Sequence, residues 1–253
     1  MSISVVILAK NEEENLPKAL DSVKWADEFI VGVDTTSTDE TEAIAKERGC
    51  KVYHSDLSEG FATVKNKLIA KATKDWFLVL DADERVTPEL EAEIKRAMAS
   101  DDYKAYWIPF HNNLLGSFMD HGGWLPDLKL RLVANGFGKY GAQEIHEQME
   151  IEGEVGTLTS MMNHYSHRTV KELLRRIDQY SDLDAPIVNK RMPEQLRKRN
   201  LVMPMVREFY RRYVTLRGYK DGMAGLIEAV MQAFYIFAGH AKAWELRNNH
   251  ERL

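Results

Sequence analysis

Two carboxylates separated by one residue, Asp81 and Asp83 in Asp81-Ala82-Asp83, can turn toward one divalent cation and the diphosphate that such a cation neutralises. Their oxygens are hard ligands of the kind Mg2+ and Mn2+ take. A cation held there stabilises the negative charge that builds on a departing nucleoside diphosphate, which is Lewis-acid catalysis without proton transfer. Alone the pattern is weak, because acidic triplets also arise on solvated loops. Position gives it weight: it follows Asp75-Trp76-Phe77-Leu78-Val79-Leu80, a strongly apolar run, so the carboxylates stand where a strand ends.

The elements that must position this triplet alternate. Ile3–Leu8 is a continuous apolar run suited to a strand buried on both faces. Glu12–Val23 carries Leu16, Leu20 and Val23 on one helical face, with Pro17 tolerable near the first turn. Next come a strand over Phe29–Val33, a helix over Asp39–Arg48 with Gly49 as its C-cap, a strand over Lys51–His54 and a helix over Gly60–Ala72. Thr87-Pro88-Glu89 opens a further helix, and Ala105–Phe110 reads as a strand. The alternation predicts an α/β fold with a parallel, doubly wound sheet, in which ligands bind outside the carboxyl ends of the strands. Asn11, Asp34 and Asp81 all fall just beyond such ends.

From His111 to Tyr165 the pattern is irregular and rich in Gly and aromatic residues, with strand-like pieces at Lys129–Val133 and Met149–Ile151. Irregular segments beside a rigid sheet commonly carry binding chemistry. From Thr169 onward the chain reads as helical: Val170–Tyr180, a basic stretch, then Gly222–Leu246. Two regions are therefore expected, a catalytic domain over 1–168 and a helical, basic and amphipathic region over 169–253.

The net charge of -5 offers no general attraction to nucleic acid, and the aromatic residues are not interleaved with basic ones. The single Cys50 excludes an intramolecular disulfide framework, and no basic segment precedes an apolar one at the start, so a reducing, cytoplasmic setting is expected. Charge is uneven along the chain. Between Lys190 and Lys220 stand Arg191, Arg197, Lys198, Arg199, Arg207, Arg211, Arg212 and Arg217, against Glu194 and Glu208 alone. Ala229–Ala238 is strongly apolar but short for a membrane span and interrupted by Gln232. A helix lying in a membrane interface, its basic neighbour facing anionic lipid, fits it; so does a helix packed on the domain. The G-x-G-x-x-G of dinucleotide oxidoreductases is absent after the first strand, and Ala9-Lys10-Asn11-Glu12 stands where a nucleotidyltransferase carries a glycine-rich basic signature.

Ordered blocks along nearly the whole chain resemble the family 2 glycosyltransferases, in particular the branch with the lipopolysaccharide-core β-1,4-glucosyltransferases. They are Val5-Val6-Ile7-Leu8-Ala9-Lys10-Asn11-Glu12-Glu13, Ser22-Val23-Lys24-Trp25-Ala26-Asp27-Glu28, Asp34-Thr35-Thr36-Ser37-Thr38-Asp39, and Leu80-Asp81-Ala82-Asp83-Glu84-Arg85-Val86. Later come His121-Gly122-Gly123-Trp124-Leu125-Pro126-Asp127 with Arg131-Leu132, Ile145-His146-Glu147, His164-Tyr165-Ser166, and Ala241-Lys242-Ala243-Trp244-Glu245. The resemblance implies a GT-A fold and an inverting transfer of a hexose, glucose first, from a UDP-sugar to a lipid-linked or lipopolysaccharide-core saccharide. It implies Mn2+ or Mg2+ as cofactor and a place on an anionic membrane surface, the cytoplasmic face of the inner membrane. A non-catalytic, membrane-associated nucleotide-sugar-binding protein is the alternative.

Inversion by single displacement needs a base for the acceptor hydroxyl, a positioned donor and charge stabilisation at the leaving group. The family pattern assigns the nucleotide-sugar to Ala9, Asn11, Glu12, Asp34, Asp81 and Ala82, with Lys65 meeting phosphate or standing as a solvated helix lysine. Asp39 either joins them or caps its helix. The metal falls to Asp83 directly, to Asp81 as a residue bridging through water or else nearer the ribose, and to His164, with His146 as competitor. The base is Asp127, with Glu147 as rival; either could instead pair with Arg131. Trp124 stacks on a sugar or packs its loop. Relatives usually carry Ser-Gly where this chain has Thr35-Thr36, which puts that loop's backbone in question because glycine alone adopts positive φ cheaply.

Overall fold

In the computed structural model of this chain, which describes residues 1–141, 149–192 and 198–250, the first apolar run forms β1 (Ile3–Ala9), buried at every position except Leu8. After it come α1 (Leu16–Ser22), β2 (Glu28–Asp34), α2 (Thr41–Glu47), β3 (Lys51–Ser55), α3 (Phe61–Ile69), β4 (Trp76–Asp81), β5 (Glu84–Val86) and α4 (Pro88–Met98). The irregular stretch holds β6 (Ala105–Leu114), β7 (Ser117–Phe118), β8 (Leu128–Ala134), β9 (Gly138–Tyr140), β10 (Met149–Ile151), β11 (Val155–Thr157) and β12 (Met162–His167). The helical part is α5 (Val170–Arg191), α6 (Lys198–Tyr210) and α7 (Gly222–His250).

The main sheet runs β3-β2-β1-β4-β8-β6-β12-β5. Its first four strands are parallel. β8 lies antiparallel between β4 and β6, and β12 pairs antiparallel with β5. Side chains alternate across a strand, and both faces of this sheet are covered. Val5 and Ile7 pack with Leu78 and Leu80 of β4, Leu16 of α1 and Ile94 of α4, while Val6, Phe77 and Val79 pack with Val64 and Leu68 of α3. That double burial is why β1 and β4 read as continuous apolar runs rather than alternating ones. Pro17 and Pro88 sit in the first turns of α1 and α4, where an N–H has no helical partner, and Thr87 caps α4 by accepting from the Leu90 N–H at 3.2 Å.

The chain divides into two compact units, Met1–Phe110 with Asp127–His164, and His111–Pro126 with Tyr165–Leu253. The second unit thus takes in a segment from the middle of the irregular stretch. His121 ties that segment down, its N–H and ring Nδ1 meeting the two Asp221 oxygens at 2.9 and 2.8 Å, and the Gly122 N–H donates to the Leu216 carbonyl at 2.8 Å. Within the same unit α7 packs on α5 and α6. Its buried positions include small residues at about one per turn, Gly225, Ala229 and Ala233, with Glu228 buried beside them.

The segment Gly218–Asn248 is long and apolar enough, by length and composition, to cross a membrane, with mean hydropathy 1.3 over an 18-residue window of which 28% is buried. The apolar stretch around Ala229–Ala238 is therefore part of a longer helix than that stretch suggests. Two of its charged residues are engaged within the unit: Glu228 Oε1 lies 2.7 Å from His167 Nε2, and Lys242 Nζ is 2.7 Å from Asp178 and from Asp182.

Candidate active site

Strand register brings the first candidates to one edge. Val33 pairs with Ala9 and Asp81 with Leu8, so the carboxyl ends of β1, β2 and β4 line up, with Asn11, Asp34 and Asp81 at or just beyond them. Asp81 does not stand alone there. Its Oδ2 accepts from Arg131 Nη2 at 2.6 Å and its Oδ1 is 3.5 Å from Lys65 Nζ. The same Nη2 donates to Glu84 Oε1 at 2.6 Å, and the other Glu84 oxygen accepts from the Asp81 N–H at 2.9 Å. Glu84 is wholly buried. Burial alone would raise the Asp81 carboxyl, but the charges of Arg131, Lys65 and Lys129 outweigh it and hold that group well below the usual carboxylate range. For Glu84 burial prevails over Arg131, and the neighbouring Asp81 pushes the same way, so its pKa is raised. The result is a charge-paired cluster in which one guanidinium serves two carboxyl groups.

Asp83 faces a different partner. Pairing of β12 with β5 sets His164 opposite Glu84, and this brings His164 Nε2 to 3.5 Å from Asp83 Oδ2. Two donors sharing one cation at roughly 2.0–2.1 Å lie about 3–4 Å apart. The pair fits part of a divalent-cation site, an acid oxygen beside an imidazole nitrogen. Among the described residues no group of three His, Cys, Asp or Glu side chains completes such a site.

The loops after β1 and β2 are bound to each other. Asn11, at φ +54°, accepts from the Thr38 N–H at 2.8 Å, and the Glu12 N–H donates to Thr41 Oγ1 at 2.8 Å. Asp39 accepts from the N–H groups of Glu13 at 2.9 Å and Thr41 at 3.1 Å, anchoring the start of α2 to the β1 loop. Asp34 accepts from the hydroxyl and N–H of Thr36 and from the Leu57 N–H. Neither Thr35 nor Thr36 has positive φ. The loop accommodates the missing glycine by staying in ordinary backbone space, and Thr36 supplies a hydroxyl a glycine lacks. Ala9 and Ala82 are buried and offer backbone only.

These contacts give Asp34 a testable acid signature. The Thr36 hydroxyl, opposed by burial and joined by the Leu57 and Thr36 N–H groups and Lys10, lowers its pKa from 3.8 to about 2. A depressed folded pKa stabilises the fold above the unfolded pKa, and the stabilisation disappears as pH falls from about 4 to about 2; its size is about 2 kcal/mol. Urea unfolding of wild type and Asp34→Asn is expected to show a gap of that order at pH 7 that closes toward pH 2.5; a gap independent of pH would refute the assignment.

Beside the cluster Lys65, Lys129, Arg131, Trp107 and Tyr140 line a cavity of about 360 Å3. Arg131 Nε is buried there with no hydrogen-bond partner among the described residues. Lys129 and Glu84 escaped sequence reading, and Arg131 entered it only as a partner for Asp127 or Glu147. A signal was available: Lys129 and Arg131, two apart on a strand, point to one face.

Residues 4–162 match the family described as Glycosyl transferase family 2. The chain belongs to that family. Its mixed sheet, parallel over β3-β2-β1-β4 and antiparallel beyond, with flanking helices, is the GT-A arrangement. This glycosyltransferase is 27% identical over 258 residues to the lipopolysaccharide core biosynthesis glycosyltransferase LpsC of Rhizobium meliloti (strain 1021), covering 97% of this chain and 93% of that one. It is likewise 27% identical over 256 residues to an uncharacterized glycosyltransferase of Rickettsia typhi, covering 96% and 87%. Among solved structures, S. aureus TarS 1-349 in complex with UDP-GlcNAc is similar with a TM-score of 0.48 and 11% identity, covering 98% of this chain and 92% of that one.

The remaining candidates of this family 2 enzyme separate. Asp127 immediately precedes β8 in the first unit, its carbonyl accepting from the Phe110 N–H at 2.7 Å. Trp124 belongs to the second unit, with the Arg212 guanidinium 5.5 Å from its ring centroid. The ion pairs of Arg131 are with Asp81 and Glu84. Glu147 and His146, the rival base and rival ligand, lie outside the described residues.

Proposed function

We propose that this glycosyltransferase moves a hexose, glucose in the first place, from a UDP-sugar onto a lipid-linked or lipopolysaccharide-core saccharide with inversion, in the presence of Mn2+ or Mg2+. The observation that carries the reading is the Asp83–His164 pair, 3.5 Å apart, next to the Lys65–Asp81–Arg131 cluster. Asp83 and His164 are the residues that would hold the cation, with Asp81 near the ribose; when bound, the ion supplies charge neutralisation at the diphosphate. Lys65 adds positive charge where the diphosphate departs. Ala9, Asn11, Glu12 and Asp34 border the nucleotide, and Ala82 lets the donor approach the strand end. Asp127 takes the proton from the acceptor hydroxyl as its oxygen attacks the anomeric carbon and the bond to the diphosphate breaks on the opposite side, which inverts the centre. Glu147 is the rival for that proton.

Similarity to LpsC along nearly the whole of both chains supports the acceptor class. A place at the anionic cytoplasmic face of the inner membrane is supported by two features of the second unit. Val202, Val206 and Tyr210 form an exposed apolar stripe on α6, and Arg191, Arg199 and Arg207 line one cleft of about 780 Å3. Basic side chains beside an exposed apolar stripe suit an anionic lipid surface.

The test is a thermal-shift panel of UDP, GDP, CDP and TDP, each with Mn2+ and with EDTA, since a ligand of the native state raises stability by mass action. A shift with UDP and Mn2+ that EDTA abolishes is expected; no shift with any nucleotide would count against the UDP-sugar donor and against the nucleotide-sugar-binding alternative alike. Asp127→Asn is expected to keep the UDP shift while transfer falls by about 100-fold or more. Unchanged transfer in that variant moves the base to Glu147.

A further inference from the structure

Three helices of the second unit enclose the cleft of about 780 Å3. The end of α5 contributes Arg191 and the residue after it, Met192; α6 contributes Arg199, Met203 and Arg207; α7 contributes His240. Arg199, Met203 and Arg207 recur every four residues, so they share one face of α6 over about 12 Å. Arginine side chains are long enough to bring their charges together across such a span.

Like charges gathered in this way repel, and the protein does not relieve them. Among the described residues Arg191, Arg199 and Arg207 make no hydrogen bond and no ion pair, and no carboxylate lines the cleft. Their neighbours are treated differently: Arg211 and Arg212, at the end of α6, are both held by Glu208, at 2.7 and 2.6 Å. Three guanidiniums left without a counter-charge call for an anion from outside.

The border of the cleft says what kind of molecule carries that anion. Met203 lines the cleft and is itself exposed, and Val202, Val206 and Tyr210 continue the exposed apolar surface along α6. A free phosphate would use the arginines alone, whereas a lipid uses both surfaces, headgroup on the charge and chains on the stripe. The number of arginines narrows the headgroup. A terminal phosphate monoester carries a charge of about −1.5 to −2 and three acceptor oxygens, enough to serve several guanidiniums, each able to bind two oxygens at once. The diester phosphate of an ordinary anionic headgroup carries a single charge.

We propose that this cleft is the site of a lipid whose headgroup ends in a phosphate monoester, with the phosphate among Arg191, Arg199 and Arg207 and the chains against Val202, Val206 and Tyr210. The inference rests on the reading of a transferase at an anionic membrane face and narrows that face to one headgroup chemistry.

Co-sedimentation of the full chain with phosphatidylcholine vesicles tests it. One set is doped with phosphatidic acid and another with phosphatidylglycerol to the same zeta potential, and the UDP-dependent thermal shift is recorded on the same protein. Vesicles with phosphatidic acid are expected to bind about tenfold more tightly than phosphatidylglycerol vesicles of equal surface charge. Arg199→Gln combined with Arg207→Gln is expected to erase that difference, Val206→Ser to weaken both vesicles alike, and neither variant to move the UDP shift. Equal binding of the two anionic vesicles by the wild type would reduce the cleft to diffuse charge and overturn the proposal. So would a preference that survives in the arginine variant, or calorimetric binding of glycerol phosphate as tight as that of the vesicles, which would make this a site for a soluble phosphate. A missing UDP shift beside a retained vesicle preference would count against the transferase reading alone.

Discussion

Arg131→Ala is expected to lower the free energy of unfolding by about 3–5 kcal/mol, the range for removing one partner from a buried ion pair. The arginine side chain is 7% exposed and a single nitrogen, Nη2, serves both Asp81 and Glu84 at 2.6 Å. Without it Glu84 keeps a hydrogen bond from the Asp81 N–H, but the two carboxylates face each other with Lys65 and Lys129 alone to offset them. Burial already raises the Glu84 pKa, so the variant is expected to take up a proton there, limiting the loss without abolishing it. The measurement is urea denaturation, with the midpoint moving and the slope constant. Adding Glu84→Gln to the arginine variant is expected to recover part of the loss, since one unpaired charge goes with it. A loss below about 1 kcal/mol would mean that the cluster is solvated in a way its burial does not suggest.

Asp83→Ala is expected to do the reverse: little to stability, much to binding. Asp83 is at the edge of the sheet, its side chain 18% exposed and its Oδ2 3.5 Å from His164 Nε2. If the pair holds the cation that joins protein to diphosphate, removing the carboxylate weakens UDP in Mn2+ by about 100-fold, or about 2.7 kcal/mol. The unfolding free energy should change by about 0.5 kcal/mol or less. Calorimetric titration of UDP into wild type and variant, with Mn2+ and with EDTA, separates the effects. His164→Ala should move UDP affinity in the same direction. Were wild type to bind UDP equally well in EDTA, the cation reading of Asp83 would be withdrawn.

Read together, the two substitutions divide roles within one acidic run. Asp81 is neutralised by Arg131 and Lys65, so its carboxylate acts first as part of the framework that holds the strand end. Asp83, past the end of β4, turns to a histidine delivered by β12. The D-x-D spacing by itself treats the two acids alike; their neighbours tell them apart.

How much of this was legible beforehand follows from where the information lies. The parallel half of the sheet was legible because burial on both faces leaves an apolar run, as in Val5–Leu8 and Trp76–Leu80. A helix start was legible where threonine and proline mark it, at Thr87-Pro88, whereas the helix read from Glu12 begins only at Leu16, with Pro17 in its first turn. β5 and β12 gave no such signal: β5 has only three residues, and β12 mixes Met, Asn, His, Tyr and Ser. Their pairing is nonetheless what carries His164 to Asp83. The role of His111–Pro126 was hidden for a related reason, because its ties to Asp221 and Leu216 join residues about a hundred positions apart.

By itself, then, the amino-acid sequence determined the alternation of strands and helices, the placing of Asn11, Asp34 and Asp81 at strand ends, and the membership in a family, because those depend on local periodicity and on ordered short blocks. Tertiary structure alone decided which acid pairs with Arg131, that Thr36 stands in for a missing glycine by bonding Asp34, and that Asp83 meets His164. The first and last of these are contacts between segments distant in sequence, set by strand register and by the need of buried charges to find partners, which no local stretch of the chain records; the Thr36–Asp34 bond spans only two residues and rests on the backbone path of its loop.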